Sequence, residues 1–173
     1  MAEHKTFTFV IGGARSGKSA FALGLAEDKP GPRVYIATAC ALDPEMTARI
    51  EAHKAARGPQ WSTIEEPIGV AERLSEISSG AVLIDCVTLW ITNLLMAGLP
   101  DAEIMQAVDG LAAACNGAKA SAIMVSSEVG MGIVPEGALT RRFRDLAGAA
   151  NQRFARAASE VYFVAAGVPM KMK

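Results

Sequence analysis

The chain has 173 residues, 51% hydrophobic and 20% charged, a length near that of one domain and a composition that excludes disorder as its main state. Seventeen Lys and Arg against 18 Asp and Glu leave a formal charge of -1. No long-range field then recruits DNA, RNA or an anionic membrane, and nucleic acid is not expected as a partner. Cys40, Cys86 and Cys115 lack the spacing of a zinc site or a disulfide framework. With no leader-like apolar region and no apolar run of ~18 residues, the expectation is one cytoplasmic domain over residues 1–173, without membrane insertion and with reduced thiols.

Strand and helix alternate along the chain. Phe7 to Ile11 is a β-branched and aromatic run ending in a glycine pair, and Lys18 to Asp28 follows with the apolar content of a helix. A second strand is expected at Val34 to Thr38. Asp43 and Pro44, an N-cap acid before a proline at the first helical position, then open an amphipathic helix reaching about Arg57. An extended piece at Trp61 to Ile64 and a helix over Val70 to Ser78 come next. Ala81 to Asp85, continuously apolar up to its acid, reads as a central parallel strand buried on both faces. Helices are expected near Leu89 to Ala97, over Asp101 to Ala118 and within Ala138 to Ala158, and strands at Ala122 to Ser126 and Val161 to Ala165. The tail from Gly167 to Lys173 reads as loosely held. The alternation predicts an α/β, mostly parallel sheet with helices on both faces and a ligand crevice at the carboxyl ends of the strands.

Gly12, Gly13, Ala14, Arg15, Ser16, Gly17, Lys18 and Ser19 match G-x-x-x-x-G-K-[ST] in full, after a strand and opening a helix. Small residues let backbone N–H groups curl around phosphate oxygens. Lys18 reaches the outer phosphates, and the Ser19 hydroxyl can ligate Mg2+. The expected fold class is therefore a P-loop NTPase, RecA-like. Asp85, ending an apolar strand, stands where a carboxylate holds the metal or its water; its other reading is a cap on the next helix. No N-K-x-D guanine-reading string occurs, and Asp145 to Gly148, although D-x-x-G, falls within a helix. A small-molecule phosphotransferase remains.

His4 lies in the N-terminal segment. On the helix opened by Asp43, Arg49, His53 and Arg57 fall on one stripe, with Met46 and Ile50 on an adjoining face. Two guanidiniums disfavour protonation of the imidazole and attract polyphosphate, and a neutral imidazole near an α-phosphate is a competent nucleophile. A solvated surface histidine would have the same spacing.

Together, the phosphate loop, residues 35–39 (YIATA), 43–54 (DPEMTARIEAHK), 61–65 (WSTIE), 85–95 (DCVTLWITNLL), 127–136 (SEVGMGIVPE) and the Asn151-Gln152 pair resemble the bifunctional adenosylcobinamide kinase / adenosylcobinamide-phosphate guanylyltransferase family over nearly the whole chain. The resemblance implies phosphorylation of adenosylcobinamide by ATP or GTP. GMP then passes from GTP, through a histidine that falls at His53, to adenosylcobinamide phosphate, giving adenosyl-GDP-cobinamide in adenosylcobalamin assembly. Nucleotide contacts map onto Gly12 to Ser19, onto Ala37, Thr38 and Ala39, onto Lys54, Ala55, Ala56 and Arg57, and onto Glu65 and Asp85. It also implies a homotrimer.

Several alternatives stay open on the residues. Glu65 suits the donor edge of guanine or a ribose hydroxyl, and equally an exposed turn. Glu128, Gly130 and Gly132 form either a wall over substrate or an ordinary glycine-rich loop. Arg141, Arg142 and Arg144 read as an anion clamp or as a solvated helix face. Met124 and Met131, with Leu89, Ile91, Leu94 and Leu95, are expected in packing or an interface. The base of the kinase step is open among Asp85, Glu65 and Glu128. Two other functions share the phosphate loop: a single-activity kinase with a structural His53, and a GTP-binding regulatory protein, against which the absent N-K-x-D weighs.

Overall fold

The computed structural model describes residues 6–40, 54–55 and 57–173. The readings placed on His4, Asp43, Pro44, Met46, Arg49, Ile50, His53 and Ala56 lie outside the described residues. Seven strands form one sheet: β1 (Phe7–Gly12), β2 (Arg33–Ala37), β3 (Trp61–Glu65), β4 (Ala81–Asp85), β5 (Ser121–Ser127), β6 (Glu160–Ala165) and β7 (Val168–Lys171). Their spatial order is β3-β2-β4-β5-β1-β6-β7. The first six are mutually parallel and β7 runs antiparallel to β6. The helices whose bounds lie within the described residues are α1 (Lys18–Glu27), α2 (Val70–Ser75), α3 (Val87–Met96), α4 (Asp101–Gly117) and α5 (Ala138–Ala157).

The alternation of side chains along the strands divides the core between the two faces. Val10, Leu83, Ile123 and Val125 pack toward α1, where they meet Ala22 and Ala26. Phe7, Phe9, Val82, Ile84 and Met124 point the other way, into the larger cluster formed with α2 to α5. Phe154 of α5 is fully buried there, its ring tilted against Phe9 at 5.9 Å. Ala81, Val82, Leu83 and Ile84 are all at most 1% exposed, as the unbroken apolar run requires of an interior parallel strand.

Two segments depart from the sequence reading. Trp61 to Glu65 is more than an extended piece: it is a full parallel edge strand, paired from Arg33↔Trp61 to Ala37↔Glu65. The tail is not loosely held. Ala166 and Gly167, at φ 51° and 82°, make the two-residue positive-φ turn that suits the twist of a hairpin. The chain then returns along β6 as β7, from Ala165↔Val168 to Tyr162↔Lys171. Pro169 is accommodated because β7 is an edge strand. Lys173 closes the chain by donating to the carbonyls of Ala155, Arg156 and Ala158, which caps the end of α5 and suits its negative dipole end.

Candidate active site

Strand register sets the site. Ala37 pairs with Glu65 on one side and Asp85 on the other, and Asp85 with Val125, so these residues form one transverse row at the carboxyl end of the sheet. Gly12 reaches two residues past the row along β1, opposite Ser127 and Val164. The phosphate loop and Asp85 thus lie on strands separated by β5 alone and open into one crevice, as expected at the carboxyl edge of an open α/β sheet.

The loop between β1 and α1 has the backbone its glycines predict. A Cβ on Gly12 would stand 2.4 Å from the Val164 carbonyl oxygen and 2.6 Å from Ser16 Oγ, so only glycine lets β1 turn there. Gly17 caps α1 in the left-handed region at φ 90° and Arg15 also has positive φ, at 54°. The Ser16 amide donates to the Gly13 carbonyl at 3.3 Å, and Lys18 Nζ to the same oxygen at 3.1 Å, which lays the lysine across the loop. The β6–β7 turn abuts it from outside: Gly167 donates its N–H to the Ser16 carbonyl at 2.8 Å, and its Cα would lie 3.1 Å from a Cβ on Gly17.

Asp85 lies on the α1 side of the sheet. Its Oδ2 accepts from the Tyr35 hydroxyl at 3.0 Å, while Oδ1 has no hydrogen-bond partner among the described residues. Burial, and then the charge of Asp85, push the Tyr35 phenol above its ordinary range, so it is a protonated donor. Arg57 is 7% exposed; its guanidinium stacks on the Tyr35 ring at 3.6 Å and reaches Thr63 Oγ1 at 3.4 Å. Cys86, next to Asp85, is buried, and its thiol is pushed up to about 11, by burial first and the Asp85 charge second. It is a packing thiol, not a nucleophile.

The other sequence-selected residues divide. Ala37 is nearly buried and Ala39 half-buried at the end of β2, while Glu65 accepts from Lys54 Nζ at 2.9 Å on the rim. Lys54, Ala55 and Arg57 are helical. The Thr38 side chain is fully buried: its hydroxyl donates to the Cys86 carbonyl at 2.8 Å and accepts from the Cys86 amide at 2.7 Å. That couples the ends of β2 and β4.

Two residues of the 85–95 segment that were given no individual role in the sequence reading hold the rim. Asn93 donates to the carbonyls of Thr38 and Pro67 at 2.8 and 3.0 Å, and Trp90 Nε1 to that of Ile68 at 2.8 Å. One turn of α3 therefore fixes both the end of β2 and the bend after β3. An asparagine and a tryptophan in a helix otherwise composed of apolar residues and two threonines were the available signal. Arg141, Arg142 and Arg144 of α5 are each engaged by neighbouring groups on a partly exposed face. Arg141 donates to the Pro135 and Glu136 carbonyls, and Arg142 to Asp101 and the Leu99 carbonyl. Arg144 pairs with its neighbour Asp145. Met124 is in the core, whereas Met131 is 80% exposed and packs against nothing in the core clusters.

Loop 128–137 begins at Glu128, whose amide donates to the Gly12 carbonyl at 3.0 Å and whose carboxylate accepts from the Gly130 amide at 2.5 Å. Asn151 anchors its base from below. Ser126 Oγ donates to Asn151 Oδ1 at 2.6 Å, and Asn151 Nδ2 to the Ser127 carbonyl at 3.3 Å. Asn151→Ala strands the buried Ser126 hydroxyl, so a loss of about 2 kcal/mol is expected in urea unfolding. A loss under ~0.5 kcal/mol would show that this pair does not hold the loop.

The residues present fit a nucleotide-bridged Mg2+. Ser19 and Asp85 carry the hard oxygens that would ligate it, and Asp85 Oδ1 has no hydrogen-bond partner among the described residues. Among the described residues no group of three or more His, Cys, Asp or Glu could hold a metal by itself.

A phosphate loop between β1 and α1, with an acid ending a strand one position removed from β1, defines a P-loop NTPase of RecA-like topology. The profile of the cobinamide kinase / cobinamide phosphate guanyltransferase family matches residues 8–172. The bifunctional adenosylcobalamin biosynthesis protein CobU of Salmonella typhimurium is 44% identical over 178 aligned residues, covering 95% of this chain and 98% of that protein. The corresponding CobP of Pseudomonas aeruginosa is 45% identical over 170, with 95% of each chain covered, and CobU of Escherichia coli 43% over 178, with 95% and 98% covered. The chain belongs to this family of transferases. Among the described residues, no helix is long and apolar enough to cross a membrane.

Proposed function

We propose that the whole chain, as one domain, carries out both reactions named by its family. In the first, the hydroxyl oxygen of the aminopropanol arm of adenosylcobinamide bonds to the γ-phosphorus of ATP or GTP as the bond to the bridging oxygen breaks. The proton leaves to a rim carboxylate, for which Asp85, Glu65 and Glu128 are the candidates. In the second, a ring nitrogen of His53 displaces pyrophosphate from the α-phosphorus of GTP. A phosphate oxygen of adenosylcobinamide phosphate then displaces the imidazole, and adenosyl-GDP-cobinamide is released.

The observation that carries this reading is the complete phosphate loop, Gly12 to Ser19, in the geometry of a phosphate cradle within a chain matched to the family over residues 8–172. Gly12 to Ser19 hold the phosphates through loop amides and the Lys18 ammonium. Ala37 and Ala39 border the base or ribose, where small residues at a strand end allow close approach, while the Thr38 side chain, expected as a contact, is instead buried behind them against Cys86. Lys54, Ala55, Ala56 and Arg57 follow His53 directly, and Glu65 accepts from guanine donors or a ribose hydroxyl. Ser19 and Asp85 would hold Mg2+, which when bound neutralises phosphate charge. A homotrimer working in the cytoplasm belongs to the same reading, and sedimentation of the purified protein reads its assembly directly.

The test is incubation with Mg2+ and GTP labelled at the α-phosphate, beside His53→Ala, followed by denaturation. The expected label is covalent, acid-labile, alkali-stable and absent from the variant, the signature of a histidine phosphoramidate. No label in a preparation shown to bind GTP overturns the covalent step and leaves a single-activity P-loop kinase.

A further inference from the structure

The described residues place a buried polar chain behind Asp85 that neither the phosphate loop nor the histidine chemistry uses. Tyr35 is 6% exposed on β2, one strand away from Asp85, and its hydroxyl donates to Asp85 Oδ2 at 3.0 Å. The ring is fixed on both sides. The Arg57 guanidinium lies over it at 3.6 Å, and Trp61 meets it edge-on with centroids 6.3 Å apart. Arg57, itself buried, is steadied by Thr63 Oγ1. A phenol clamped this way has little rotational freedom, and the carboxylate oxygen it engages inherits that restriction. The other oxygen, Oδ1, is left without a partner among the described residues.

We propose that Tyr35 is a positioning residue for Asp85: its hydroxyl pins Oδ2 so that Oδ1 remains presented to the cation on the nucleotide, with Arg57 and Trp61 holding the phenol in place. This rests on the reading of Asp85 as a cation-holding residue. Partners that orient a metal-ligating carboxylate are worth roughly 10- to 100-fold in metal affinity or activity. Tyr35 touches neither nucleotide nor substrate in this scheme; it acts only through Asp85.

Tyr35→Phe is the discriminating variant, because it keeps the ring under Arg57 and against Trp61 and removes only the donor. Mn2+ is titrated by electron paramagnetic resonance into the full-length protein with a non-hydrolysable GTP analogue, for wild type, Tyr35→Phe and Asp85→Asn. Roughly tenfold weaker Mn2+ binding is expected in Tyr35→Phe, with analogue affinity within about twofold. Kinase turnover should fall at limiting Mg2+ and recover as Mg2+ is raised, a response that loss of packing alone does not give. If Asp85→Asn weakens Mn2+ binding and Tyr35→Phe does not, the positioning role is overturned and the reading of Asp85 stands. If neither variant changes Mn2+ binding, both are overturned.

Discussion

Lys18→Ala is expected to lower phosphoryl transfer to adenosylcobinamide and guanylyl transfer from GTP together, each by about 10²- to 10³-fold, the usual effect of removing one preorganised charge from a developing anion. Both reactions move negative charge on a nucleoside triphosphate. The described residues contain one phosphate loop, whose lysine already lies across it at 3.1 Å from the Gly13 carbonyl. Shared use of that loop is the hypothesis behind the joint effect. Single-turnover kinetics with γ-labelled ATP and α-labelled GTP separate the two steps. Loss of the first with wild-type guanylylation would show two independent nucleotide sites.

A second large effect is expected far from the crevice. At Gly80, before β4, a Cβ would stand 2.0 Å from the Pro32 carbonyl oxygen, with φ at 84°; Gly98 shares the left-handed backbone, at φ 82°, but has open space around it. The Pro32 carbonyl also accepts from the Ala81 amide at 3.0 Å, so it cannot withdraw without breaking the start of β4. Gly98→Ala carries only the left-handed cost, about 1–2 kcal/mol. Gly80→Ala adds the clash and should exceed ~3 kcal/mol, in the class of severe backbone and overpacking changes. At roughly 2–4 °C per kcal/mol for a chain of this size, the two should differ in Tm by several degrees. Equal shifts would refute the close approach of the Pro32 segment to Gly80.

What could be read from the sequence is local chemistry with a fixed period or spacing. The unbroken apolar run before Asp85 gave an interior strand, and the phosphate loop between strand and helix gave the fold class. Tertiary pairing explains the rest. Trp61 to Glu65 is too short to announce a partner, and its role as a parallel edge became visible only through its register with β2. Residues 168–171 contain a proline and follow an Ala-Gly turn without the Asn-Gly or Asp-Gly signal of a hairpin; pairing with β6 orders them. At the site, position at a strand end singled out Asp85 and helical spacing put Arg57 on a stripe with His53, whereas Ala37 was marked by the family resemblance alone. That Tyr35 joins Asp85 to Arg57 depends on β2 lying beside β4, which no linear pattern encodes. The arginines of α5 read as a charge run because half of their acceptors are backbone carbonyls, which leave no trace in composition.

The order in which the chain is synthesised bears on when its nucleotide site can exist. The phosphate loop is translated early, but β1 is an interior strand whose second edge is covered by β6, and the Ser16 carbonyl is bound by the Gly167 amide. A nascent chain interrupted before residue 160 therefore carries the complete motif on a strand with one bare edge, a form open to pairing with other chains. Docking of β6 along β1, and of the Gly167 amide on the Ser16 carbonyl, is then what gives the phosphate-loop sequence its folded surroundings.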